Sequence, residues 1–350
     1  MDITTTITLP ISLEEATRSF LSKLSSRRMR DVLEKRFGLK GGKKKTLEAI
    51  GTEYKITRER VRQIENDALK CLAKDDAYLQ FKPFFVALEE HVNRFGGVMA
   101  EQYLLSAFPD KRSHAELAFL LRVGKQFISL PETDDMHQLW TTDETRAAHV
   151  AKIIQSATDD LEKKEHPVTE KELSMIVSKR AGEIIPVSHD EEMIKNYIQI
   201  SKLIARNPYG EYGLSSWPTI HPRGIKDKAY TVLVRSGHPL HFKEVAVAID
   251  DVRWSKRKAH PRTVHNELIK DSRFVLVGRG YYAIREWGYE PGVVRDVLVS
   301  VLKQATLPLS KDEIIKLVME KRLVKEQTIL LNLQNKSLFK RTNDGTYTLV

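Results

Sequence analysis

Three features of the 350-residue sequence predict a mainly α-helical chain, an N-terminal helix-turn-helix followed by four tandem winged-helix modules with small β wings. The first is a series of short amphipathic stretches before residue 79, divided by turn signals. The second is an internal repeat, whose starts lie 70, 72 and 69 residues apart. The third is a pair of β-prone segments that ends each repeat. Together they partition the chain at 1–79, 80–143, 144–221, 222–289 and 290–350.

The first segment reads as four helices. Ser12–Leu24 carries Leu13, Ala16, Phe20, Leu21 and Leu24 near a 3.6-residue period. Arg27–Phe37 gathers Met29, Val32, Leu33 and Phe37 on one face, and GLKGGKKK then breaks the pattern with three glycines. Thr46 can cap the next helix, with Leu47, Ile50 and a stop at Gly51. Thr57 can cap the one after it, in which Val61, Ile64, Ala68 and Leu69 turn inward. Thr46–Tyr54, a short turn and Thr57–Leu72 thus make a helix-turn-helix.

The outward face of the second of these helices carries Arg58, Glu59, Arg62, Gln63 and Asn66. A helix laid in the major groove reads guanine best with arginine, adenine with glutamine and cytosine with glutamate. Arg60 and Arg62 flank that stripe and suit phosphates, and Thr46 and Thr57 stand at the helix starts that face the backbone. Charge agrees. Lys23 to Lys74 holds 16 Lys+Arg against 7 Asp+Glu, or +9, while the whole chain carries +10. A compact basic segment is the electrostatic footprint of a nucleic-acid binder.

RRMRDVLEKRFGLKGGKKKTLEAIGTEYKITRERVRQIENDALKCL resembles region 4 of the bacterial sigma-70 family, over about residues 25–74. RFGL, TLEAIG and TRERVRQIE follow in the family's order and at near-family spacing. The resemblance implies that Arg58, Glu59 and Gln63 touch bases of a −35-like element and that Arg60 and Arg62 touch the backbone. It further implies a grip on the β flap of RNA polymerase through residues 27–39. Asp67 departs from the basic residue that many primary sigma factors carry there, which weakens the phosphate footprint. About 20 residues precede the match, too few for a promoter-melting region in its usual place.

The repeat is anchored by GVMAEQYL at 97–104, PVTEKELS at 167–174, PLHFKEVA at 239–246 and PLSKDEII at 308–315. A fixed period of this kind marks one structural unit used several times. Each unit opens with a helix (84–95, 145–164, 226–235, 293–303), continues through the anchored helix, and adds a third (113–123, 191–204, 261–270, 325–333). FISL…HQLW, YGEYGLSSW, FVLVGRGYYAIREW and LFKRTNDGTYTLV supply the hairpins. Trp140, Trp217 and Trp287 close three of the wings as core staples. The third unit resembles the HARE-HTH family over about 225–288, through HPLH, TVHNEL and GRGYYA. That resemblance implies a module that docks on polymerase or on DNA. Residues outside the first segment are near neutral in total, which favours protein contact, with RWSKRKAHPR at 253–262 as a basic exception.

No catalytic constellation stands out, and an enzyme is not expected. GLKGGKKKT lacks the G-x4-G-K-[ST] spacing and a preceding strand. The pairs His238/His241 and His260/His265 have no Cys or carboxylate partner at ligand spacing, so no metal or other cofactor is expected. The single cysteine, Cys71, reads as a packed thiol and excludes an intramolecular disulfide. No apolar run approaches a membrane span, and MDITTTITLP is not a secretory signal. The expected partners are double-stranded DNA and RNA polymerase at its β flap, without membrane or small-molecule substrate, in the cytoplasm at the nucleoid. A sequence-specific or architectural DNA binder, or the DNA-targeting subunit of a restriction or defence system, remain the alternative readings.

Overall fold

The structure, a computed structural model, describes residues 7–74, 76–108, 110–255 and 257–350. The expectation for residues 1–6 and for Lys256 of the basic cluster lies outside the described residues. Helix dominates, with 17 α-helices and 57% helical content among the described residues, and the sheets are small and antiparallel. The chain divides into two compact units, Met1–Ile204 and Ala205–Val350.

The first unit begins with α1 (Leu13–Lys23), α2 (Arg27–Phe37), α3 (Leu47–Tyr54) and α4 (Arg58–Lys74). Ser12, Ser26, Thr46 and Thr57 each accept a backbone N–H three residues on, so four hydroxyl caps set the four starts. Gly38 ends α2 in the left-handed conformation, where a Cβ would lie 2.7 Å from the Gly42 carbonyl oxygen. Gly51 is no stop. It lies inside α3, which runs on to Tyr54 and ends at Lys55 in the left-handed region. The glycine is needed for close approach instead: a Cβ there would come within 2.8 Å of the Ile56 carbonyl oxygen in the turn to α4. On α4 the inward set is Val61, Ile64, Ala68 and Leu72, while Leu69 is only half-buried.

Next come α5 (Asp76–Gln80), α6 (Lys82–Arg94), β1 (Val98–Ala100), α7 (Glu101–Ser106), α8 (Lys111–Val123), β2 (Ile128–Leu130) and β3 (Leu139–Thr141). Their sheet has the order β1-β3-β2, with Met99 and Ser129 both opposite Trp140. The Trp140 indole is buried and donates from Nε1 to Glu101 Oε2 at 2.9 Å. The core does not stop at residue 79. Phe20 of α1 lies 4.9 Å from Phe81 and 5.9 Å from Phe85, and Phe37 of α2 meets Phe119 of α8 edge-on at 5.5 Å. Leu33, Ala68 and Leu72 of the helix-turn-helix share one apolar cluster with Leu117, Phe119, Leu120 and Leu121 of α8. Each fully buried Leu or Phe contributes roughly 1.5–3 kcal/mol.

The unit ends with α9 (Glu144–Lys164), α10 (Glu170–Ile184) and α11 (Glu191–Ile200). A helix through Ile204 was expected. It stops at Ile200, because Ser201 turns the chain and bridges Met136 of the preceding wing. There His137 N donates to Ile200 O and Lys202 N to Asp135 O. The hairpin that follows is β4 (Ile204–Arg206) with β5 (Tyr212–Leu214), so it starts earlier than YGEYGLSSW. Asn196 of α11 is fully buried and donates to the carbonyls of Phe95 and Val98.

The second unit holds α12 (Ile225–Ser236), β6 (Leu240–His241), α13 (Phe242–Asp251), α14 (Pro261–Lys270), β7 (Phe274–Leu276) and β8 (Tyr281–Ile284). Their sheet runs β6-β8-β7. After it come α15 (Val294–Gln304), α16 (Lys311–Lys321), α17 (Glu326–Leu333), β9 (Phe339–Arg341) and β10 (Tyr347–Leu349). The wing of β7 and β8 is tied down by Leu323 N donating to Val277 O and by the buried Arg322 reaching Leu276 O at 3.3 Å.

The repeat signature has a physical cause. In PVTEKEL, PLHFKEV and PLSKDEI the third residue (Thr169, His241, Ser310) caps a helix, and the glutamate three on (Glu172, Glu244, Glu313) returns a bond to the cap's N–H. These are capping boxes. The apolar residue before the cap pairs with the wing: Leu240 with Tyr282, and Leu309 with Tyr347. That first short strand was not foreseen, because two or three residues are too few to show a period of two.

The shared core makes a direct prediction. Phe119→Ala should cost about 3–5 kcal/mol and should loosen α1 and α2 along with α8. Amide exchange would show it, and unchanged protection of α1 and α2 in the variant would contradict a continuous core.

Candidate nucleic-acid interface

The candidate reading face is built by α3 and α4, with α2 as their brace. Val32, Ile50, Val61 and Ile64 form a small separate core that fixes the three helices. A polar cluster on the other side binds α2 to α3. Lys35 of α2 pairs with Asp31 and with Glu53 of α3, Lys45 reaches the second oxygen of Glu53 at 2.9 Å, and the Tyr54 hydroxyl donates to Asp31. The Lys35 ammonium also sits 4.8 Å from the Tyr54 ring centre. Arg36 links α2 to Glu65 of α4 at 3.5 Å.

On this frame Arg58, Glu59, Arg60, Arg62 and Gln63 are all exposed on the first two turns of α4. The side chains pair among themselves. Arg62 grips Glu59 with two bonds, Nε to Oε2 at 2.8 Å and Nη2 to Oε1 at 2.6 Å. Arg60 Nη1 donates to Gln63 Oε1 at 3.0 Å. Each expected base reader except Arg58 is therefore held by one of the expected phosphate binders. The Arg62 bond, with Arg58 nearby, keeps the Glu59 carboxyl below the usual carboxylate range. Thr46 and Thr57 expend an oxygen lone pair on their caps, at 3.1 and 3.2 Å, which leaves each hydroxyl proton able to donate. Asp67 is exposed on the same helix.

Residues 27–39, expected to face the flap, are covered on one side. Val32, Leu33 and Leu39 are buried, and the Phe37 ring rests on Phe119 of α8. Cys71 corrects another expectation, since it is exposed rather than packed. It follows Ile64 by seven residues, at the edge of the inward face of α4. The histidines serve the fold: His241 and His260 cap helices, His238 bonds the Ser236 carbonyl, and His265 lies between the rings of Phe242 and Tyr282.

The third helices of the repeats, where a winged helix would read DNA, differ in availability. On α8, Leu117, Phe119, Leu120 and Leu121 are buried, and on α11 so are Asn196, Tyr197, Ile198 and Ile200. Helix α14 keeps Arg262, Thr263, Asn266 and Lys270 exposed, and α17 keeps Glu326, Gln327, Thr328 and Leu331.

A helix-turn-helix with an exposed, basic second helix is the architecture of a duplex reader. Residues 20–74 match the family described as sigma-70, region 4. Residues 223–287 match the HARE-HTH family, described as an ASXL and restriction endonuclease HTH domain. Both are DNA-binding helix-turn-helix families rather than enzyme families. The chain is 53% identical over 60 residues to RNA polymerase sigma factor SigA1 of Synechococcus elongatus, which is 17% of this chain and 15% of that protein. It is 52% identical over 60 residues to SigA of Nostoc sp., again 17% of this chain and 15% of the relative. SigA of Synechocystis sp. shares 52% over 60 residues, 17% of this chain and 14% of its own. The chain thus spans about 15% of the length of the curated relatives it matches. No helix among the described residues is long and apolar enough to cross a membrane.

The cluster around Lys35 sets an acid limit on the interface. Burial pushes the Asp31 carboxyl up, but the bonds from Lys35 and Tyr54 outweigh it and leave the group below its ordinary 3.8. Lys35 and then Lys45 lower Glu53 below 4.5. Depressed carboxyls contribute stability that is complete above the ordinary values and is lost as pH falls through the depressed ones. The raised pKa of Lys35, caused first by its bond to Asp31, matters only in strong alkali. The helix-turn-helix should therefore loosen as pH falls below about 4, and Lys35→Met should flatten that acid limb in a urea titration. An acid limb identical in the variant would contradict the assignment.

Proposed function

We propose that this chain is a DNA-binding transcription regulator. It places α4 in the major groove of a −35-like element, with Arg58, Glu59 and Gln63 on bases and Thr46, Thr57, Arg60 and Arg62 on the backbone. The observation that carries this reading is the exposed Arg58–Gln63 stripe on a braced helix-turn-helix within the sigma-70 region 4 match. Binding exchanges the Arg62–Glu59 and Arg60–Gln63 pairs for phosphates and bases, so the free protein holds its readers in place without burying charge.

The remaining residues act as four winged-helix modules with the boundaries 80–143, 144–221, 222–289 and 290–350. Their helix, helix, helix and hairpin order supports this. The first two modules serve as structure rather than as readers, since α8 and α11 are buried. RNA polymerase is the proposed protein partner, on the strength of the relatives' names. Contact with the β flap would use the part of α2 that α8 leaves uncovered. The chain then adjusts initiation by a separate sigma factor, and its place of action is the cytoplasm, at the nucleoid.

Base reading is tested by binding to a selected duplex and to scrambled ones. Arg58→Ala and Gln63→Ala should each cost about 1–3 kcal/mol on the preferred site and relax preference. Arg60→Ala should weaken all duplexes alike. Equal losses for all three variants on every sequence would overturn the reading.

A further inference from the structure

A groove of about 550 Å³ runs between the glycine-lysine turn after α2 and the start of α8. Its lining carries Lys43, Lys44, Lys111, Arg112 and His114, with Glu101 the one acid. We infer that this groove holds the phosphate backbone of the duplex that α4 reads, and so lengthens the footprint beyond the helix-turn-helix. The inference rests on the DNA-binding reading above and deepens it.

Four observations support it. Lys43, Lys44 and Lys111 are exposed and enter no ion pair among the described residues. Their neighbours are committed: Lys40 to Glu34, Lys45 to Glu53, and Arg112 to Glu14 and Glu116. The carboxylate of Glu101 is also occupied, since its Oε2 accepts from Gln138 at 2.6 Å and from Trp140 at 2.9 Å. The charge of Lys43, Lys44 and Lys111 is therefore left for an outside anion.

The second observation lies at the start of α8, where the Asp110 carboxylate already caps the helix's positive pole, accepting from Ser113 N at 2.9 Å. Lys111 beside it stays exposed and is not drawn into an ion pair among the described residues. Third, Gly38 permits the tight turn that sets Lys43 and Lys44 opposite Lys111; a side chain at Gly38 would strike the Gly42 carbonyl and the Lys44 amide. Fourth, Lys44 lies two residues before Thr46, within about 7 Å along the chain. The groove thus adjoins the cap at which α3 is expected to meet a phosphate. A cationic groove lined from both the turn after α2 and the start of α8, and adjoining that point, fits the continuing backbone of the same duplex.

The test uses the full chain with Lys43, Lys44 and Lys111 changed to alanine together, and separately Lys111→Glu alone. Affinity is read against salt on a duplex that extends well past the preferred site. Each phosphate contact adds close to 0.9 to the slope of log K on log salt. The triple variant should lower the slope by about 2 to 3, and Lys111→Glu should weaken binding several-fold. Both should keep the ratio between preferred and scrambled sites. An unchanged slope in the triple variant, with Arg58→Ala still relaxing preference, would overturn the groove alone. Full retention of preference by Arg58→Ala would overturn the reading on which it rests.

Discussion

The packing of α8 onto α1, α2 and α4 is the constraint from which the arrangement of the first unit follows. Phe119 against Phe37, with Phe20 against Phe81 and Phe85, makes the helix-turn-helix and the first repeat one body. A segment of some 60 residues buries little surface by itself and is marginal alone. Here its α2 face is completed by a neighbour, so α4 is presented by a larger frame. The same contact covers the apolar side of α2 and buries Leu117, Phe119, Leu120 and Leu121 of α8.

This logic recurs. The wing after α8 is bridged by Ser201, and α11 is spent on Asn196 and Tyr197 packing under residues 95–98. In the second unit Leu323 and Arg322 fasten the edge of the wing formed by β7 and β8. Within each unit one repeat thus fastens the hairpin of its neighbour, the nearest-neighbour economy of repeat proteins. A helix-turn-helix shape alone does not make a reader. What sets α4 apart is a polar, cationic outer face combined with a firmly braced inner one.

Much of this was legible in the sequence, for identifiable reasons. The four N-terminal helix starts could be read because each has a hydroxyl cap, and Arg27–Phe37 was read to the residue. The repeat could be read because capping boxes fix a residue type at a fixed offset. The reading stripe was visible because it occupies the face opposite a 3.6-period apolar one. Gly51 was misread, since a glycine that makes room for a turn looks locally like one that ends a helix. Cys71 was misread because thiols are usually buried, while its place at the edge of the inward face of α4 leaves it exposed. The shared core escaped entirely. Phe20, Phe37 and Phe119 announce that they pack against something, but a one-dimensional pattern does not say against what. The internal pairing of Glu59 with Arg62 and Arg60 with Gln63 was latent in the i, i+3 spacing.

The central claim is that α4 reads DNA while the third helices of the first unit's repeats hold that unit together. Amide hydrogen exchange of the full chain, with and without a duplex bearing its preferred site, tests this most directly. The account predicts new protection in residues 46–66 and unchanged protection in α11, residues 191–200. Protection gained in α11 with none in 46–66 would contradict it.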